Sequence, residues 1–125
     1  MVDNESKGLD RVFHALSDRT RREILRMLAH REYTVGELAD PFRMSLAAVS
    51  KHIKVLEEAG LLERAKDGRI HRCAINAAPL RKAQDVIRYY QQFWESRFNA
   101  LERFLQASVD EVDKEKGEKY VRGKK

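Results

Sequence analysis

The feature that most restricts the fold is a pair of short helices with clear start and stop signals, close together in the chain. Thr34 and Glu37 have the spacing of a capping box, so a helix is predicted to begin there, and Pro41 ends it. Ser45 is placed as the N-cap of the next helix, and Gly60 as its C-cap glycine. Two capped helices joined by a turn of a few residues predict a helix-turn-helix.

The residues after this second helix change from a helical period to a strand pattern. Leu61 to Ile75 is predicted to form a hairpin whose two-residue turn is Asp67-Gly68. In that register Cys73 lies opposite Leu62, which favours a packed, buried thiol over a metal or redox site. The predicted fold is therefore mainly α with a small β-hairpin: a winged helix-turn-helix with long N- and C-terminal dimerisation helices.

Three further helices complete the predicted architecture. They cover residues 9–16, residues 18–29 and a long stretch that begins at Pro79. The predicted organisation is a flexible leader at 1–8, a winged helix-turn-helix domain with its dimerisation helix at 9–108, and a charged, disordered tail at 109–125.

The composition excludes several classes of protein. The 125 residues suffice for one modest core, and the single cysteine, Cys73, excludes an internal disulfide and a four-cysteine zinc site. We find no phosphate-binding glycine loop, nucleophile elbow or zinc-hydrolase pair, so no catalytic residue, cofactor or metal is predicted and the chain is not expected to be an enzyme. No apolar run is long enough for a membrane span and the first residues lack a signal-peptide pattern, so a cytoplasmic protein is expected.

The outward face of the second capped helix is suited to a DNA major groove. A helical wheel turns four residues towards the core: Leu46, Val49, Ile53 and Leu56. The opposite side carries Ala47, Lys51 and Lys54, flanked by Ala48 and Ser50. Small side chains allow the backbone to approach the bases, and lysines bind phosphates. On this pattern His52, beside the core face, is predicted to be a hydrogen-bonded packing residue.

Basic residues outside this helix extend the predicted DNA surface. Lys66 and Arg69 flank the hairpin turn, where they can reach phosphates or the minor groove. Arg21 lies in the first turn of a helix, where the dipole disfavours cations, so a phosphate contact and a solvated arginine face explain it equally well. The predicted DNA-binding residues are Ser45, Ala47, Ala48, Ser50, Lys51, Lys54, Lys66, Arg69 and Arg21.

The alternative function is a winged-helix module that binds proteins and has no specific DNA target. Such a module is expected to carry apolar residues on the outward helix face, where this sequence has only Val55. The lysines of that face therefore favour duplex DNA as the partner.

The last predicted helix has an apolar surface wider than one side of a small domain can cover. Leu80, Ile87, Trp94 and Leu101 recur every seven residues, as in a helix-pairing seam. We favour a dimer interface over an intramolecular core, while an aromatic effector pocket remains open. The predicted interface residues are Leu9, Val12, Phe13, Ile87, Tyr90, Trp94, Phe98 and Leu101.

Three stretches of this sequence resemble the ArsR/SmtB family of repressors. Residues 12–25 resemble the family's opening, residues 46–62 its recognition helix and wing entry, and residues 67–69 its wing; the likeness extends over about residues 9–105. One departure is Arg19, where the family usually has proline. The resemblance implies a homodimer built on the first and last helices, whose repression is relieved by a ligand or a chemical signal.

The same resemblance shows where a metal site should be sought. The family's thiolate site lies on the helix before the recognition helix, and residues 35–40 contain no cysteine. Its other site uses the last helix, and residues 79–109 contain no histidine. The chain is therefore expected not to sense metal at either place, and the residues leave open whether a small-molecule or redox effector exists. A two-fold dimer places its two recognition helices in successive major grooves, so the expected operator is an inverted repeat.

Overall fold

A computed structural model describes residues 4–123 of the chain, with side chains for residues 6–116. The elements are α1 (Asn4–Leu16), α2 (Arg19–Leu28), β1 (Tyr33–Thr34), α3 (Val35–Ala39), α4 (Leu46–Glu58), β2 (Leu62–Asp67), β3 (Ile70–Ile75) and α5 (Ala78–Gly123). The chain divides into two compact units, of which the first ends at Asp85 and the second begins at Val86. The first unit holds the helix-turn-helix, α3 and α4, and an antiparallel sheet of order β1-β3-β2, which confirms the predicted fold class.

The core of the first unit forms where α2, α3 and α4 meet the base of the sheet. Its fully buried side chains include Ile24, Leu38, Val49, Ile53, Leu56, Leu61, Leu62 and Cys73. Cys73 is fully buried, which confirms the predicted buried thiol. Its burial raises the pKa of the thiol, against a smaller lowering by the charge of Arg64. The prediction for Leu46 was wrong, because the first turn of α4 extends past the core and leaves this side chain 58% exposed.

The hairpin turn lies one residue later than predicted. Asp67 pairs with Ile70, so the turn residues are Gly68 and Arg69, and Gly68 has a φ of +63°. Glycine at the first central position is what a type II′ turn requires. Cys73 consequently lies opposite Arg64 and not opposite Leu62. The strand faces are unchanged, because the pairing moves by two residues along β2.

The short strand β1 was missed by the sequence analysis. Tyr33 pairs with Cys73 and Thr34 with Arg72, which adds a third strand to the hairpin. Two residues are too few to show an alternating pattern, and these two precede a capping box that explains them equally well. β1 connects the start of α3 to the wing and so fixes the helix-turn-helix against the sheet.

Both terminal helices are longer than the sequence pattern indicated. Helix α1 begins at Asn4, inside the predicted leader, whose residues 1–3 lie outside the described part. Helix α5 continues to Gly123 through most of the predicted disordered tail, and a Gln106–Asp110 side-chain hydrogen bond of 3.0 Å crosses the predicted boundary. Polar residues predict exposure and do not by themselves end a helix. No helix within residues 4–123 combines the length and the apolar character that a membrane span requires.

Asp18 begins α2 as its N-cap. Its Oδ2 accepts a hydrogen bond from the backbone N–H of Arg21 at 3.1 Å. Burial alone would raise the pKa of Asp18, but the hydrogen bond from the Arg21 backbone N–H and the positive charge of the protonated form of His52 together lower it below its usual value. The charged carboxylate therefore stabilises the fold above the pKa of the unfolded state, and this contribution is lost as pH falls through the lower pKa of the folded state.

We expect Asp18→Ala to lower the free energy of unfolding by about 1 kcal/mol at neutral pH, because one helix N–H loses its acceptor. Asp18→Asn should retain most of this cap but respond less to acid than the parent protein. Urea unfolding of the three proteins at pH 7 and near pH 3.5 measures both effects. Equal acid sensitivity in the parent protein and Asp18→Asn would show that the Asp18 charge does not contribute.

Candidate nucleic-acid interface

The start of each helix in the helix-turn-helix is fixed by side-chain caps. Thr34 Oγ1 accepts from the N–H of Glu37 at 3.2 Å, and Glu37 Oε1 accepts from the N–H of Thr34 at 3.0 Å. Ser45 Oγ accepts from the N–H of Ala48 at 3.1 Å. These bonds confirm both predicted helix starts. The Ser45 side chain, predicted to contact DNA, is exposed but already holds the first turn of α4.

Helix α4 presents a solvent face of small and basic side chains. Ala47, Lys51 and Lys54 are exposed, while Ala48 and Ser50 are half-buried at the edges of this face. On the opposite side Val49, Ile53 and Leu56 are fully buried and hold the helix against the core. The predicted polarity of α4 is therefore present in the fold. A helix with such a face fits the major groove of duplex DNA.

The wing carries two exposed basic residues near its tip. Lys66 lies near the end of β2, and Arg69 occupies the second position of the turn itself. Neither side chain has a resolved partner within the described residues. Arg69 next to a glycine at the tip can extend towards a phosphate or a narrow minor groove.

Arg21 does not lie on this surface, in contrast to its prediction as a DNA contact. The residue is 8% exposed, and its guanidinium group donates to the last carbonyls of α1: Nε to Ala15 O at 2.8 Å and Nη2 to His14 O at 3.0 Å. Those carbonyls carry the negative end of the α1 dipole. The neighbouring Arg22 likewise donates to Leu16 O at 2.8 Å.

Arg21 and Arg22 at the start of α2 are thus explained by the end of the preceding helix. Only Ser17 and Asp18 separate α1 from α2, so the first turn of α2 lies beside the last carbonyls of α1. These cations are unfavourable for the dipole of α2, at whose start they lie, but favourable for the dipole of α1, at whose end they bind. The short spacing was the signal in the sequence that could have shown this role.

His52 joins the recognition helix α4 to this arrangement. Its Nδ1 lies 3.1 Å from Arg21 Nη1 and 3.8 Å from Asp18 Oδ2. Because the guanidinium group only donates, the neutral form of the His52 ring accepts through Nδ1 in the Arg21 contact. The prediction of a hydrogen-bonded packing histidine is confirmed.

A cleft that the sequence analysis did not identify lies between the helix-turn-helix and the wing. It has a volume of about 510 Å³, and its polar side chains are Thr34, Ser50, Arg64, Arg69 and His71. We call it the wing cleft. Arg64 and His71 lie on separate strands with no motif spacing, so only the strand pairing reveals that they belong to one site.

The residues predicted for a dimer interface differ in their exposure. Five residues of α5, all in the second unit, are more than half exposed: Ile87, Tyr90, Trp94, Phe98 and Leu101. Phe13 of α1 is 37% exposed, whereas Leu9 packs partly against the core. Val12 is only 2% exposed and belongs to the protomer's own core, because it lies on the inner side of α1. We therefore remove Val12 from the proposed interface.

The described side chains also bear on metal binding. Within residues 6–116, no three His, Cys, Asp or Glu side chains are grouped closely enough to hold a metal ion. His71 and Cys73, which share a strand face, therefore lack a third such ligand in the described part of the chain.

The amino-acid sequence of this chain is similar to those of known regulators. Residues 16–65 match a family described as a helix-turn-helix domain. The transcriptional repressor SdpR of Bacillus subtilis is 32% identical over 85 residues, which cover 68% of this chain and 91% of SdpR.

Solved structures agree with this comparison. The crystal structure of an ArsR family transcriptional regulator has a TM-score of 0.70 and 38% identity, and the match covers 77% of this chain and 98% of that one. An ArsR-like transcriptional regulator from Rhodococcus sp. RHA1 has a TM-score of 0.68 and 32% identity, with 86% and 98% covered. The similarity therefore includes the capped helices, the wing and the beginning of the last helix.

Proposed function

Because this chain belongs to the ArsR/SmtB family and is a DNA-binding transcriptional regulator, we propose that it acts as a homodimeric repressor of an inverted-repeat operator. The relative SdpR is named a transcriptional repressor, which supports repression over activation. In this proposal the protein has no catalytic activity, and its regulation does not use the family's metal sites on α3 and α5.

The observation that carries the proposal is the solvent face of α4. Lys51 and Lys54 are exposed beside Ala47, while the opposite side of the helix is buried. Small side chains leave room for the backbone in the groove, and the lysines can neutralise phosphates on either side. A protein-binding face would be apolar at these positions.

The apolar side of α5 supports the homodimer. Trp94 is 55% exposed and Phe98 is 62% exposed, and their rings lie 6.2 Å apart on the same side of the helix. Exposed aromatic residues in a continuous patch mark interaction surfaces. A second copy of the same helix would cover this patch, and the resulting two-fold symmetry matches an inverted repeat.

Binding to DNA can be tested by fluorescence anisotropy with labelled duplexes selected from a random library. Specific binding should survive an excess of unlabelled random DNA and weaken as salt rises. The double variant Lys51→Ala, Arg69→Ala should lose most of it. Binding that disappears under random competitor, even for selected duplexes, would contradict sequence-specific recognition.

We expect Phe98→Ala to weaken dimerisation about tenfold, because an aromatic anchor in the interface contributes more than 1 kcal/mol. The matched control is Tyr89→Ala, which also removes an exposed aromatic ring, but from the other side of α5. Sedimentation equilibrium of both variants measures the dissociation constant. Equal weakening by the two substitutions would show that the Phe98 side is not the interface.

A further inference from the structure

The wing cleft carries the further inference, because it lies between the two elements that are proposed to read DNA. Ser50 of α4 lines one side, Arg69 and His71 line the wing side, and Thr34 lies at the start of α3. Exposed apolar side chains of Leu46 and Ile70 also line the cleft. The cleft is therefore an open groove with both polar and apolar walls.

Two nitrogen atoms in the walls of this cleft lack a hydrogen-bond partner. Arg64 Nε and His71 Nδ1 are both sealed from solvent and bond to no described group. Buried polar atoms are nearly always hydrogen-bonded, so each needs an explanation. A ligand that accepts hydrogen bonds, after a small rotation of either side chain, supplies the missing partner.

The charges around the cleft select an anion as that ligand. Its lining contains Arg64 and Arg69 and no carboxylate. Two carboxylates bear on this charge: Glu37 accepts from Thr34 and Arg31, and Glu57 Oε1 lies 3.5 Å from Arg64 Nη2 but leaves Arg64 Nε without a partner. Two guanidinium groups and a serine hydroxyl match the oxygens of a phosphate group.

We propose that the wing cleft binds one phosphate group of the DNA backbone, with Arg64, His71 and Ser50 as its contacts. The proposal rests on the proposed DNA binding: when α4 enters a major groove and the wing the next minor groove, the strand between those grooves must cross the cleft. A free phosphate ion offers the same chemistry from a second source, and the experiment has an arm for each source.

The test follows the Nε–H resonance of Arg64 by NMR of the full chain. The resonance is assigned by its loss in Arg64→Lys, which keeps the charge but has no Nε. Selected duplex DNA is expected to shift this signal at one duplex per dimer. Inorganic phosphate is expected to shift it only at millimolar concentration.

The possible results separate the two proposals. If inorganic phosphate shifts the Arg64 resonance but anisotropy detects no binding of DNA, the proposed function is overturned. The wing cleft would then bind a free phosphate ion and not the DNA backbone. If the protein binds DNA tightly but neither DNA nor phosphate shifts the Arg64 resonance, the proposed phosphate site is overturned. The proposed function is then unaffected.

A second measurement uses the dependence of DNA affinity on salt. Arg64→Gln should lower the slope of log K against log salt by about one, the value expected for one lost phosphate contact. Arg72→Gln is the control, since Arg72 is exposed on the opposite face of the same wing. Equal slopes for the two variants would contradict a specific contact in the cleft. Thermal unfolding of both verifies that they are folded.

Discussion

Ala47→Glu is expected to lower the affinity for selected operator DNA by more than a hundredfold while the protein remains folded. Ala47 lies in the first turn of α4, exposed at the centre of the face proposed to enter the major groove. A glutamate there lengthens a side chain that must be small and brings a negative charge close to the phosphates. A like-charge contact of this kind costs about 3 kcal/mol, which corresponds to more than a hundred in the dissociation constant.

The same substitution should not harm the fold. Ala47 is two residues after the N-cap Ser45, and acidic side chains are favourable in the first turn of a helix. The thermal midpoint should therefore be unchanged or slightly raised. Loss of function without loss of stability is the result that separates a recognition surface from a packing surface.

The matched control is Ala77→Glu, the same exchange at an exposed residue near the base of the wing. It changes the net charge equally but lies near the C-terminal end of α4, away from the start of that helix and from the wing tip. Anisotropy at fixed salt compares the two variants with the parent protein. If both variants weaken binding equally, the effect is one of net charge, and the α4 face is not the recognition surface.

The features that could be predicted from sequence are those determined by neighbours in the chain. The caps at Thr34 and Ser45 depend on side chains within three residues, and the buried side of α4 follows from its own periodicity. Both were predicted correctly. Leu46 shows the limit of this reasoning, because a helical wheel gives the direction of a side chain but not where the core ends.

The features that could not be predicted depend on contacts between separate elements. The hairpin sequence permits a turn at Asp67-Gly68 or at Gly68-Arg69, and the observed pairing selects the second. The role of Arg64 in the wing cleft depends on that pairing. Arg21 was interpreted on its own helix, whereas its partners are the carbonyls of the helix before it.

This correction makes Arg21 the residue with the largest expected effect on stability. Arg21 belongs to α2, and its guanidinium group connects this helix to two others. It donates to carbonyls at the end of α1 and contacts His52 of α4. Arg21→Met keeps much of the aliphatic packing but removes every side-chain donor, while the backbone N–H that bonds to Asp18 remains. Ala15 O then loses its donor beside a largely buried side chain, at about 1–3 kcal/mol for an unsatisfied buried group, whereas His14 O keeps its hydrogen bonds from Ser17.

We therefore expect Arg21→Met to lower the free energy of unfolding by about 2 kcal/mol. Urea unfolding at one fixed protein concentration measures this loss, since dimerisation makes stability depend on concentration. The control Arg19→Met removes an exposed arginine from the same turn of α2 and should change stability by no more than about 0.5 kcal/mol.

The salt dependence of DNA binding distinguishes this role from a phosphate contact. If Arg21 only holds α1, α2 and α4 together, the slope of log K against log salt is the same for Arg21→Met and the parent protein, measured where both are folded. If Arg21 instead binds a phosphate, the slope falls by about one and the free energy of unfolding barely changes. The burial of Arg21 and its hydrogen bonds to two carbonyls favour the first result, because a guanidinium group that already satisfies the end of a helix has to break those bonds before it can reach DNA.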